Sequence, residues 1–209
     1  MKNPDLYIQY TDYGYIEDDR PKGFSFASCL AFGMIIVILF SVFALGVVFK
    51  STYTNLIEMD TNINREFTNV QNAMQNGRIE NIPDVIKSAD ASIIPQLEII
   101  YEDILACNQS FGEVTTPEEL DNTNAKLMKN IEHFMALVER NTDTFENEYY
   151  RKLMNSIESA DKKITSAKEN YNVAVREYNQ ALVNFPGTIL ADFFDFEPME
   201  EFESDRKIR

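Results

Sequence analysis

Residues 23–49, GFSFASCLAFGMIIVILFSVFALGVVF, contain no charged side chain. No other feature limits the fold of this chain so sharply. A helix of about 20 apolar residues crosses the hydrocarbon core of a bilayer, and a longer one spans it with tilt. The core helix of a water-soluble domain rarely runs this long without a charge. A cleaved signal peptide starts nearer the terminus and ends at a small-residue cleavage site. Here polar residues 1–22 come first, and no Ala-x-Ala site follows Phe49. Cys29 precedes the apolar run rather than following it, the wrong order for a lipoprotein anchor. The expectation is a permanent single-pass anchor, with the lipid bilayer as the partner of residues 23–49. Arg20 and Lys22 flank it on one side, Lys50 and the more distant Arg65 on the other. Counted by the positive-inside rule, this leaves residues 1–22 in the cytoplasm and the C-terminal domain outside the inner membrane.

Beyond the anchor the apolar residues recur at alternating steps of three and four, the signature of helices packed along seams. Tyr53, Leu56, Ile63, Phe67, Val70 and Met74 share one phase, with Asp60 in one slot. No Pro or Gly separates this stripe from the anchor, so the membrane helix is expected to continue into it until Asn76 and Gly77 end it. A second stripe holds Ile86, Ile93, Leu97, Ile100, Ile104 and Cys107, with Pro95 inside it and a kink expected near Ala91. Thr116 is a natural cap before Pro117, Glu118 and Glu119. The third stripe is Leu120, Asn124, Leu127, Ile131, Phe134 and Val138. The fourth, from Tyr150 through Leu153, Ile157, Ala160, Ile164, Ala167, Tyr171, Ala174, Tyr178 and Ala181 to Phe185, is the longest. Strand signals are almost absent. These stripes predict an all-α fold, an N-terminal transmembrane helix continuing into an antiparallel four-helix bundle. The expected division is a polar extension at 1–22, the membrane helix at 23–49, the bundle at 50–186 and a tail at 187–209.

The net charge of −15 and the pI near 4.5 leave no basic surface for nucleic acid. His133 is the only histidine, so a metal site of clustered His, Cys or carboxylate ligands is not expected. Cys107 lies on an apolar stripe without a nearby base and reads as core rather than nucleophile. Glycine-rich phosphate loops and nucleophile elbows are missing from the sequence. The chain is therefore expected to be no enzyme, with no catalytic residue, no cofactor and no metal.

The stretch ENYNVAVREYNQALVNFPG at 169–187 looks at first like active-site material. Tyr171 and Tyr178 fall on the fourth seam one heptad apart, and Asn172 and Asn179 repeat beside them. Helix packing demands such a repeat, whereas catalysis does not. The expectation is that these residues, with Arg176, orient the fourth helix against its neighbours and the tail. In the tail, Ile189, Leu190, Phe193, Phe194 and Phe196 form an apolar patch that either caps the bundle or docks a partner. Asp192, Asp195 and Glu197 among them disfavour an anionic membrane surface, so Phe193, Phe194 and Phe196 are the candidate docking residues for a protein. Disorder is expected beyond Pro198.

Taken together, Tyr171, Asn172, Arg176, Tyr178, Asn179, Phe185 and Pro186 fit a pattern YN-x(3)-R-x-YN-x(5)-FP. With Ala191, Phe196, Phe202 and the segment NIPDVI at 81–86, the chain resembles the bacterial LemA family over roughly residues 24–202. Two features depart from that family's pattern. Arg78 is followed by Ile79 and Glu80 rather than by an aspartate, and residues 1–22 make a longer extension. The resemblance implies a membrane-anchored helical bundle without established catalytic activity, similar to proteins associated with membrane proteases and with bacterial organelle membranes. The leading functional expectation is a non-enzymatic interaction or scaffold module at the membrane, with a protein partner or self-association. The alternatives are a subunit or regulator of a membrane enzyme such as a protease, and a sensor binding a ligand between its helices.

Overall fold

The computed structural model describes residues 26–141 and 147–203, and every regular element among them is helical. The elements run α1 (Phe26–Gln75), α2 (Ile82–Lys87), α3 (Ile94–Gln109), a 3₁₀ turn (Ser110–Glu113), α4 (Pro117–Arg140), α5 (Asn147–Val183) and α6 (Gly187–Phe194). The chain divides into two compact units, Met1–Gly46 and Val47–Arg209.

In the first unit, the described part of α1 is long and apolar enough to cross a membrane, and none of its most apolar window is buried by protein. Phe32, Ile35, Leu39 and Phe43 all present more than half of their surface outward. Ser41 returns its hydroxyl to the Val37 carbonyl at 2.8 Å, which satisfies a polar group within an apolar helix.

The second unit carries the core. Along α1, Leu56, Ile63, Val70 and Met74 are buried at steps of seven and four, so one stripe faces the other helices. The helix ends before Gly77, whose φ of +93° is a conformation that glycine adopts without a Cβ penalty. On α4, Leu120, Leu127, Ile131, Phe134 and Val138 are buried, and the Thr116 hydroxyl caps the helix by accepting from the Glu119 N–H at 3.3 Å.

Two stripes differ from the sequence expectation. Pro95 does not kink a continuous helix: the chain breaks between Lys87 and Ile94, and Pro95 stands in the first turn of α3. The proline lacks only a backbone donor that would have no intrahelical partner at that position, so starting a helix costs less than bending one. On α5 the seam runs through Leu153, Ile157, Ala160, Ile164, Tyr171, Ala174 and Tyr178 but finishes at Leu182, with Val175 buried beside it. Phe185 lies beyond the end of the helix at Val183 and is 69% exposed, so it does not complete the stripe.

Polar contacts join the helices at their margins. Gln71 and Gln75 on α1 send their amides to the Phe111 and Asn108 carbonyls, the latter at 3.5 Å. Lys168 on α5 pairs with Asp121 on α4 at 2.6 Å, and the Tyr150 hydroxyl on α5 donates to Glu139 on α4 at 2.7 Å. Lys152 approaches Asp84 of α2 at 3.8 Å.

Candidate functional site

The polar residues of 171–179 come together with the tail. After α6, Asp195 takes a left-handed conformation and turns the chain back along α5. Asn179 then grips Met199 with both ends of its amide: Nδ2 donates to the Met199 carbonyl and Oδ1 accepts from the Met199 N–H, each at 2.9 Å. Asn172 does the same to Phe202, at 2.9 and 2.8 Å. Between them, the Tyr171 hydroxyl donates to the Glu200 carbonyl at 3.1 Å, and Arg176 pairs with Glu201 at 2.7 Å.

The spacing explains why the asparagines repeat at seven. Seven residues of helix rise about 10.5 Å, and three residues of extended chain cover about 10 Å. Two asparagines one heptad apart therefore meet tail residues three apart, Met199 and Phe202. The amides do not bridge helices. They hold a length of tail backbone, and the tail after Pro198 is fastened as far as Phe202 instead of being disordered there. Residues 204–209 lie outside the described residues.

At the end of this clamp the Phe202 ring is only 2% exposed. It stacks near Phe67 at 6.2 Å, meets the edge of Tyr171 at 4.9 Å, and lies under the Lys168 ammonium at 5.3 Å. Lys168 is thus shared between the Asp121 carboxylate and an aromatic face. Burial, helped by the Glu200 charge, pushes the Tyr171 phenol up to about 12. Tyr178 is 1% exposed and is raised first by burial and then by the charge of Asp60, the acidic slot in the α1 stripe.

Phe185 and Pro186 do something different from the clamp. Their peptide bond is cis, and the Phe185 ring lies edge-on to Phe49 at 6.1 Å. Of the tail aromatics, Phe194 and Phe196 pack on Tyr53 at 4.7 and 6.0 Å, whereas Phe193 is 77% exposed.

A family model for the LemA family matches residues 66–209, a span that includes α5, α6 and the clamped tail. The chain belongs to the LemA family. No curated protein matches its sequence. In this LemA-family chain, the groups that looked most like chemistry are spent on the tail. Among the described residues no three His, Cys, Asp or Glu side chains are grouped to hold a metal ion. His133 is exposed, and the Cys107 thiol, raised above its ordinary value chiefly by burial, points to the Thr123 carbonyl at 3.6 Å.

One polar cluster escaped the sequence reading. Arg78, just past the end of α1, is 5% exposed. Its Nε donates to Asp161 at 2.9 Å, a second nitrogen reaches the same carboxylate, and Nη1 donates to Asn124. The signal was present as Asn124, a polar residue in an otherwise apolar stripe.

Proposed function

We propose that this protein is a single-pass, membrane-anchored and non-enzymatic interaction or scaffold module of the bacterial inner membrane, self-association included, with the Val47–Arg209 unit outside the cytoplasm. The observation that carries this reading is the clamp: Tyr171, Asn172, Arg176 and Asn179 have their polar groups committed to the tail, which leaves them little to offer a substrate. The apolar window of α1, none of it covered by protein, fits a lipid-facing span. Within the second unit, α1, α3, α4 and α5 are read as an antiparallel four-helix bundle. Its support is that Glu139 meets Tyr150 while the earlier Asp121 meets the later Lys168, the order expected for a helical hairpin.

Crosslinking in native membranes, followed by identification of the captured chains, tests the reading. A scaffold should be recovered with a reproducible protein partner or with a second copy of itself. Recovery with a membrane protease or another enzyme would favour the regulator alternative. Recovery of the monomer alone at every crosslinker length would overturn the interaction reading.

A further inference from the structure

The outer face of α6 is left exposed by the described residues. On its inner face Gly187, Leu190 and Ala191 follow a helical repeat, Gly187 and Leu190 buried and Ala191 half-buried. The opposite side presents Ile189 at 49% and Phe193 at 77% exposure, continuing Val183 at 73% and Phe185 at 69%. Large apolar side chains gathered this way on a surface call for a covering layer.

Their level in the molecule says which layer. Phe49 is the last residue of the uncharged run, and Lys50 follows it. If residues 23–49 span the bilayer, the edge of the hydrocarbon passes near Phe49, and Tyr53 stands about 6 Å beyond at 1.5 Å per residue. That distance lies within the headgroup layer, about 5–7 Å thick on each side, where aromatic residues concentrate. Phe185 touches Phe49, and Phe194 and Phe196 touch Tyr53. The segment 185–196 is therefore held at the height of the membrane interface by its own ring contacts.

We propose that the outer face of α6, with Val183, Phe185, Ile189 and Phe193, rests in the interfacial layer of the bilayer that α1 spans. This rests on the reading of residues 23–49 as the span. The contact is apolar insertion, since Asp192 and Asp195 on the same segment are exposed and would repel anionic headgroups.

The test uses full-length protein in phosphatidylcholine vesicles, with Cys29 and Cys107 replaced by Ala. An environment-sensitive fluorophore is attached at Phe193→Cys, and separately at Ile189→Cys and at the exposed control Lys163→Cys. Labels at 193 and 189 should be blue-shifted, quenched several-fold more by nitroxides on the lipid headgroup than the 163 label, and shielded from aqueous iodide. Labels at 193 and 189 that behave like the one at 163 would overturn the proposal. Shielding from both quenchers that disappears when the protein is diluted in more lipid would assign the face to a second copy, and overturn it as well. The two labelled sites guard against a local disturbance at either one, and thermal melting of each variant checks the fold. Alkaline carbonate washing of the same vesicles separates the two readings. Retention with water-exposed labels sinks the α6 contact alone, and release of the protein sinks the span together with it.

Discussion

Asn172 and Asn179 each satisfy a backbone donor and a backbone acceptor with a single amide, so replacing either by Ala strands two groups of the tail. The cost should be about 1–3 kcal/mol each, larger for Asn172 because its surroundings exclude the water that would otherwise repair the loss. Urea unfolding of Asn172→Ala and Asn179→Ala checks both the size and the order. Tyr178→Ala should cost about 3–5 kcal/mol as a buried aromatic truncation, and Tyr178→Phe about 1 kcal/mol or less. A Tyr178→Ala variant that melts like the parent would remove the packing role assigned to that ring. Tyr171 makes stability pH-dependent in a defined direction. Its phenol is raised from 10 to about 12 in the folded protein, so its contribution is fully present below pH 10. The unfolded chain ionises first as pH rises from about 10 to 12, and stability falls across that window. Tyr150 is raised in the same sense, so Tyr171→Phe should remove part of the alkaline loss of melting temperature, not all of it. The heptad repeat of these residues was legible in the sequence. The tail was expected as one of their partners, but which of its residues are held was not legible, because a backbone segment that is gripped by amides needs no side-chain pattern of its own.

Helices α1, α4 and α5 were legible because a long apolar stripe reports burial over many turns, and the cap at Thr116 follows from chemistry confined to four residues. Breaks were harder to read. Pro95 is compatible with both a kink and a first turn, and the choice depends on whether the preceding residues find packing of their own; Val85 and Ile86 do so in the short α2. Arg78 was missed because its partners, Asn124 and Asp161, are far away in sequence. Removing only one side of that cluster should be the worse change. Asp161→Ala leaves a buried guanidinium short of its counter-charge, whereas Arg78→Met removes the charge and keeps an apolar stem, so the first should destabilise more. Comparing the two melting temperatures decides the order. The turn into α6 makes a second demand. A Cβ on Gly187 would collide with the Ala181 carbonyl, while one on Gly112 would meet open space. Gly187→Ala should therefore cost about 1–3 kcal/mol and Gly112→Ala less than about 0.5, read from the same melts.

For the whole molecule the decisive property is one that burial alone expresses in two opposite ways. In the Val47–Arg209 unit apolar residues are covered by other protein, and in the described part of the first unit they are not covered at all. Water does not favour the second arrangement over so many consecutive residues, and the proposed lipid-facing span would give that stretch an apolar solvent while water still drives burial in the other unit. Because insertion of an uncharged helix does not depend on surface charge, neither high salt nor alkaline carbonate should release the intact protein from membranes. The side proposed for the second unit rests on a smaller imbalance, Arg20 and Lys22 against Lys50. In a background with Cys29 and Cys107 replaced by Ala, Lys163→Cys should react with a membrane-impermeant maleimide added to intact spheroplasts. Asn3→Cys should react only after the membrane is permeabilised. Lys163 is the better reporter because it is exposed on α5 and forms no part of the clamp. The reverse labelling pattern would place the bundle in the cytoplasm while leaving the span intact, and release by carbonate would remove the span itself.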